Sequence, residues 1–334
     1  MKGVSSVATE PPIADVPLKP KKRTLAERSR RLLVRLLIYV LVLLIMLAWF
    51  QRSLIYHPTK SHELQAATSA LPQAVVDVRV TTDDKLVLNG WLALAGGRRT
   101  SAAADAPKLL TQGRPLVIVF PGNAGNRAMR EYLLQALGSL GADAMIFDHR
   151  GFGDNEGRPT EADLIRDART IWNYATKELK VPPGRIVLYG ESLGTGVATR
   201  LAGDLCAEGI EPGGLIVQSA FNSLVATGHY HFPILPVSLL LIDRFESDKH
   251  ITRVTCPILH LHGRRDSVVP LPLGEKLFGC APGKSSAGVA KEFVLLPNTD
   301  HNDVYGPDVQ SVMKAVGRFL DGVNTREKNG VPRK

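Results

Sequence analysis

The sequence predicts an α/β architecture: a mostly parallel sheet with helices on both faces, preceded by one transmembrane helix. Three observations point there. From Pro115 onward, short uninterrupted apolar runs alternate with amphipathic segments, as buried parallel strands alternate with the helices that cover them. The turns between them are rich in Gly and Pro. Near the N-terminus, Leu36 to Phe50 is fifteen residues without a charge, and counting from Leu32 with Arg35 snorkelling gives nineteen, enough for one span.

In chain order, residues 1–31 read as a disordered basic tail, 32–52 as a transmembrane anchor, 53–321 as the α/β domain and 322–334 as a flexible tail. A cleaved signal peptide is the competing reading of the apolar stretch. The sequence Met46-Leu47-Ala48-Trp49-Phe50-Gln51 offers no small-x-small cleavage site, and Trp49 suits a membrane interface. Two alternating runs, Ala74 to Thr81 and Lys85 to Ala95, flank Thr82-Asp83-Asp84 and read as a hairpin. Gly96 to Gln112 reads as a poorly ordered insertion. Strands are expected at Leu116–Phe120, Ala144–Phe147, Ile186–Tyr189, Leu215–Val217, Ile258–Leu261 and Phe293–Leu296. Helices are expected at Arg127–Leu140, Thr160–Glu178 and Gly196–Ala207, after Pro270 and after Pro307. Thr160 with Asp163 three residues on marks a helix start.

The 334 residues, 44% of them hydrophobic, supply ample material for a core. The formal charge of +9 is concentrated at one end. Residues 1–35 hold nine basic side chains against three acidic ones, a surplus of six that leaves +3 for the rest. A nearly balanced globular part argues against nucleic-acid binding. The basic flank ahead of the apolar stretch predicts a cytoplasmic N-terminus and an extracytoplasmic catalytic domain. Cys206, Cys256 and Cys280 are too few and scattered for a disulfide framework or a metal site, and read as free buried thiols. Nothing in the pattern specifies self-association.

The chemistry centres on Tyr189-Gly190-Glu191-Ser192-Leu193-Gly194, between a predicted strand and a predicted helix. A serine lifted above a strand end needs a tight turn whose neighbours lack side chains, and Gly190 and Gly194 meet that need. Ser192 is the candidate nucleophile. A serine hydroxyl needs a base held in turn by an acid. His301, on the polar loop after the last strand, is the candidate base. Asp266, after the strand Ile258–Leu261, is the candidate acid. Ser, Asp, His is the chain order expected for a nucleophile elbow of this kind. Donors for a developing oxyanion are expected at the backbone N–H groups of Leu193 and of Asn123, in Pro121-Gly122-Asn123-Ala124-Gly125-Asn126. That loop lacks a Gly-Lys-Ser/Thr ending, which disfavours a nucleotide site.

Other groups carry less. Asp148 and Arg150 are expected to organise a turn. His260 and His262 share a strand face without a third ligand, so a satisfied interior pair is expected and no metal. Glu191 either tunes the field at Ser192 or is solvated. Phe232 to Ile242, within the connection 229–250, is apolar yet broken by Pro233 and Pro236. It suits a cap, an acyl-binding wall, a bilayer-facing patch or simple core packing.

Taken together, Phe-Pro-Gly-Asn-Ala-Gly-Asn from Phe120, Phe-Asp-His-Arg-Gly-Phe-Gly-Asp-Asn-Glu-Gly from Phe147, Gly-Glu-Ser-Leu-Gly from Gly190 and Pro-Ile-Leu-His-Leu-His-Gly-Arg-Arg-Asp from Pro257 resemble the α/β-hydrolase superfamily. More narrowly they resemble its membrane-anchored abhydrolase-domain branch, which includes protein depalmitoylases and uncharacterised bacterial hydrolases. The resemblance runs from about Leu54 to Leu320 and is specific for fold and triad rather than substrate. Relatives usually carry His at the position of Pro121, an aromatic residue at His149 and Ser at Asn155. Pro121 is the departure that bears on the oxyanion loop. The resemblance implies hydrolysis of an acyl ester or thioester, of lipid or lipidated substrates, without a cofactor. A serine peptidase of the same fold and a catalytically silent membrane scaffold are the alternatives.

Overall fold

The structure, a computed structural model, describes residues 24–61, 64–71, 74–96, 105–110 and 113–328. Of the expected disordered tail 1–31, residues 1–23 lie outside the described residues while Leu25 to Arg31 are helical, and most of the insertion 96–112 also lies outside them. Two compact units are present, Met1–Leu47 and Ala48–Lys334. Within the first, the described residues belong to helix α1 (Leu25–Ile55), which continues into the second. At 31 residues α1 is about 46 Å long, more than the ~30 Å hydrocarbon layer requires. Its apolar window is wholly unburied by protein.

The second unit is built on an eight-stranded sheet. In chain order its strands are β1 (Ala74–Thr81), β2 (Val87–Leu94), β3 (Leu116–Phe120), β4 (Asp143–Phe147), β5 (Ile186–Glu191), β6 (Gly214–Gln218), β7 (Ile258–Gly263) and β8 (Glu292–Leu296). Across the sheet they run β1-β2-β4-β3-β5-β6-β7-β8. The hairpin β1–β2 and the pair β2–β4 are antiparallel, and every other pair is parallel. The central strands β3 to β7 are buried along their length, which is why they read as unbroken apolar runs.

Helices cover both faces. On one lie α2 (Glu131–Ser139) and α3 (Val309–Lys328), through Leu133, Leu137, Val312 and Leu320. On the other lie α4 (Glu161–Asn173), α5 (Leu193–Ala207) and α6 (Leu271–Cys280), through Leu164, Val197 and Leu277. Thr160 caps α4 by accepting from the Asp163 N–H, as its spacing predicts.

Several boundaries differ from the sequence reading. Helix α5 begins at Leu193, three residues early, because Gly194 and Gly196 sit inside it. A Cβ on Gly194 would fall 2.0 Å from the Phe120 carbonyl oxygen, and one on Gly196 would fall 2.7 Å from the Phe245 ring. Glycine here permits close packing rather than marking a turn. In the insertion, Ala106–Leu110 forms a short helix, with Leu110 buried and its carbonyl accepting from Arg185. Helix α3 runs past residue 321, where the domain was expected to end. Val323 is buried there, and Arg326 donates to the Gly213 carbonyl.

Strand register sets the site. Phe120 pairs with Gly190, Glu191 with Gln218 and Leu296 with Gly263, so β3, β5, β6, β7 and β8 end at one edge of the sheet. The chain order changes direction between β3 and β5, and the crevice at such a point is where open α/β sheets hold ligands.

Candidate active site

Ser192 stands between β5 and α5 with φ 51° and ψ −116°, a conformation side chains rarely adopt. Two features hold it there. Its N–H donates to the Gln218 carbonyl at 2.9 Å. The turn is also pinched, since a Cβ on Gly190 would lie 2.5 Å from the Thr195 Cα. The turn therefore requires glycine at both flanking positions for reasons of space.

His301 and Asp266 come from the loops after β8 and β7. His301 Nε2 is 2.9 Å from Ser192 Oγ, and His301 Nδ1 is 2.9 Å from each Asp266 carboxylate oxygen. All three residues are buried to within a tenth of their surface. Asp266 Oδ1 also accepts the N–H groups of Val268 and Val269. Burial opposes ionisation of Asp266, but the His301 hydrogen bond and charge and the Val269 N–H outweigh it, holding the carboxyl below its usual range. Of the neighbouring aspartates, the Asp303 carboxylate accepts the Asp300 N–H, and the Asp300 carboxylate accepts from Ser267 and from the His301 N–H.

The two expected oxyanion donors come from the start of α5 and from the loop after β3. Leu193 opens α5, where an N–H has no intrahelical acceptor. Asn123 uses its carbonyl to accept the His57 N–H at 2.8 Å and its side-chain amide to donate to the Ile55 carbonyl at 2.8 Å. Its own N–H has no protein acceptor among the described residues. A Cβ on the preceding Gly122 would come 3.5 Å from Ser192 Cβ, so this loop borders Ser192.

The sequence reading missed the supports of this loop. Arg130 forks onto Glu191, Nε to Oε2 at 3.1 Å and Nη2 to Oε1 at 3.3 Å, and also donates to the Asn126 carbonyl. Glu191 is thus paired and half-buried rather than solvated. His149 Nε2 meets the Pro121 carbonyl at 2.9 Å. Asn155 donates to the Asp148 carbonyl and accepts the Asn89 N–H. This chain has Pro at position 121, and buried His149 approaches the same loop. No local pattern announces Arg130 with Glu191, His149 with Pro121 or Asn155 with Asn89, since each of these pairs comes from separate segments of the chain.

Asp148 and Arg150 are structural. Asp148 accepts the Arg127 N–H and guanidinium, and Arg150 pairs with Asp167 and Asp84. His260 and His262 contact each other at 3.2 Å, and His262 Nε2 donates to the Val269 carbonyl at 2.9 Å, bracing the Asp266 loop. That is a supporting role the sequence reading did not assign. Cys256 is buried, while Cys206 and Cys280 are half-buried, and all three are free.

A serine on a strained strand-to-helix turn at the switch point of an eight-stranded α/β sheet is the arrangement of the α/β-hydrolase class, and a family profile for the alpha/beta hydrolase fold matches residues 115–228. The chain belongs to the α/β-hydrolase superfamily, in its abhydrolase-domain branch. Over 277 residues it is 38% identical to uncharacterized protein Rv2307c of Mycobacterium tuberculosis (strain ATCC 25618 / H37Rv), spanning 83% of this chain and 89% of that one. It is 35% identical over 219 residues to the lysophosphatidylserine lipase ABHD12 of Danio rerio, spanning 60% of this chain and 57% of that lipase. This chain thus matches little more than half the length of the lipase. Among solved structures, the Pyrococcus furiosus esterase Pf2001 superposes with a TM-score of 0.57 at 20% identity, over 80% of this chain and 97% of that one, a likeness of fold.

Proposed function

We propose that this hydrolase is a serine hydrolase that cleaves the acyl ester of a membrane lipid through an acyl-enzyme. The observation that supports it most is the unbroken hydrogen-bond chain from Ser192 Oγ through His301 to Asp266. In this reading His301 Nε2 takes the hydroxyl proton as Ser192 Oγ attacks the ester carbonyl. Asp266 holds the Nδ1–H tautomer and offsets the imidazolium charge. The N–H groups of Leu193 and Asn123 stabilise the oxyanion. The leaving alcohol departs with the proton from His301, and water, activated by the same imidazole, then releases the acid.

The lipase name carried by the relatives at 32–35% identity supports a lipid ester over a thioester or peptide, and a monoacyl phospholipid as the first substrate to assay. Helix α1 would anchor the protein, with the basic cluster that precedes its apolar run on the cytoplasmic side and the hydrolase domain on the other. A fluorophosphonate probe should label wild-type protein and leave Ser192→Ala unlabelled. Monoacyl glycerophospholipids should be turned over faster than aminoacyl amides. An unlabelled, folded wild type would point to a silent scaffold, and preferred amide cleavage to a peptidase.

A further inference from the structure

Beyond helix α1, large exposed apolar side chains gather in the connection between β6 and β7. Phe232, Ile234, Leu239 and Ile242 are all exposed, Ile234 at 95% and Leu239 at 86%. The backbone that carries them is nevertheless firmly held. Gln51 donates through its side-chain amide to the Leu240 carbonyl at 3.1 Å, and its oxygen accepts the Ile242 N–H at 2.7 Å. Next to them, buried Asp243 takes Arg52 Nε at 3.1 Å and the Tyr56 hydroxyl at 3.0 Å. The segment is therefore clasped onto the end of α1, from which Trp49, Phe50 and Leu54 are themselves exposed. At its other end it reaches the active-site loops, because His231 Nε2 donates to the Val268 carbonyl at 2.8 Å. Exposed Val268 in turn donates its N–H to Asp266.

An ordered apolar patch of this kind marks an interaction surface. Its chemistry selects the occupant. From His229 to Ile242 the chain has no carboxylate, Lys or Arg, whereas protein partners meet polar, charged rims. The patch is also continuous with the last turns of a helix whose apolar run, Leu36 to Phe50, is membrane-spanning in length. Trp49 is suited to the headgroup level.

We propose that the segment Phe232–Ile242, with the end of α1, is seated in the lipid leaflet and delivers acyl chains from the bilayer to Ser192. The delivery step rests on the acyl-hydrolase reading above, but the lipid contact does not.

The test uses the full chain in phosphatidylcholine vesicles. A polarity-sensitive dye is attached at Ile234→Cys or Leu239→Cys, with labelled wild type as the blank and Val87→Cys, exposed on β2, as the aqueous control. Blue-shifted emission at 234 and 239, quenched by lipid-borne spin labels, is expected, while the dye at 87 remains in water. Water-like emission at all three sites, or a blue shift without lipid quenching, would overturn the proposal, the latter by showing protein on this face. In the same vesicles, unlabelled Leu239→Asp should turn over an embedded long-chain monoacyl ester at least ~10-fold more slowly, yet a soluble butyrate ester within about twofold of wild type. Equal loss on both esters would refute bilayer delivery. Lipid quenching in a protein that hydrolyses neither ester would keep the membrane surface and discard the acyl-hydrolase reading.

Discussion

His149 Nε2 lies 2.9 Å from the Pro121 carbonyl oxygen in the interior beside the oxyanion loop, and that contact requires a proton on Nε2. Burial is the main cause of the ring's neutrality. It outweighs the opposing pull of the Pro121 carbonyl, and the Arg130 charge adds to it, taking the pKa from 6.5 to about 4. Between those values the unfolded chain binds a proton that the native protein excludes. The contribution is complete above pH 6.5 and is lost as pH falls toward 4, by about 1.4 kcal/mol per unit. His149→Tyr should therefore unfold with a shallower dependence on pH across that window in urea titrations at pH 7, 6 and 5. Identical slopes would mean that His149 is protonated in the native state.

Ser192→Ala should lower kcat by at least ~10³-fold without altering the melting temperature, because a triad acts as a unit. Asp266→Asn and His301→Ala should be comparably damaging. Asp303→Asn should be mild, since the Asp303 carboxylate accepts the Asp300 N–H, a bond that an amide oxygen can also accept. A more severe effect at Asp303 than at Asp266 would move the acid to the other loop.

Removing the Arg130 fork leaves the Glu191 carboxylate half-buried without its partner. Arg130→Gln should cost about 3 kcal/mol in stability and lower kcat more than it raises KM, because Asn126 and Glu191 flank the oxyanion loop and the nucleophile. Adding Glu191→Gln to that variant should recover part of the stability. No recovery in the double variant would show that the two side chains are not coupled.

Gly194→Ala should yield no folded protein, or lose more than about 4 kcal/mol, because the new methyl meets the Phe120 carbonyl oxygen at 2.0 Å. Gly279→Ala, in α6 with open space around it, should instead gain about 0.5–1 kcal/mol. Thermal melts of both variants give the comparison. A stable Gly194→Ala would mean that β3 and α5 are farther apart than they appear here.

A reporter fused after Lys334 should be active only outside the cytoplasm if the basic residues before the apolar run of α1 orient it. Cytoplasmic activity would reverse the topology.

The sequence by itself determined the sheet, because strands buried on both faces must be written as continuous apolar runs, and β3 to β7 appear within two residues of where those runs fall. It also offered Ser192, Asp266 and His301 as candidates, since each follows a predicted strand. What it did not determine are contacts that have no local pattern. Gly194 and Gly196 look like turn residues until Phe120 and Phe245 are packed against them. Arg130 and Glu191 are sixty-one residues apart, and His149 and Pro121 twenty-eight, and only strand order brings either pair together. The apolar stretch Phe232–Ile242 suited core, cap or bilayer equally well as sequence. The tertiary structure excluded simple core packing, because Gln51 and Asp243 fix its backbone in place while Ile234 and Leu239 are left facing outward.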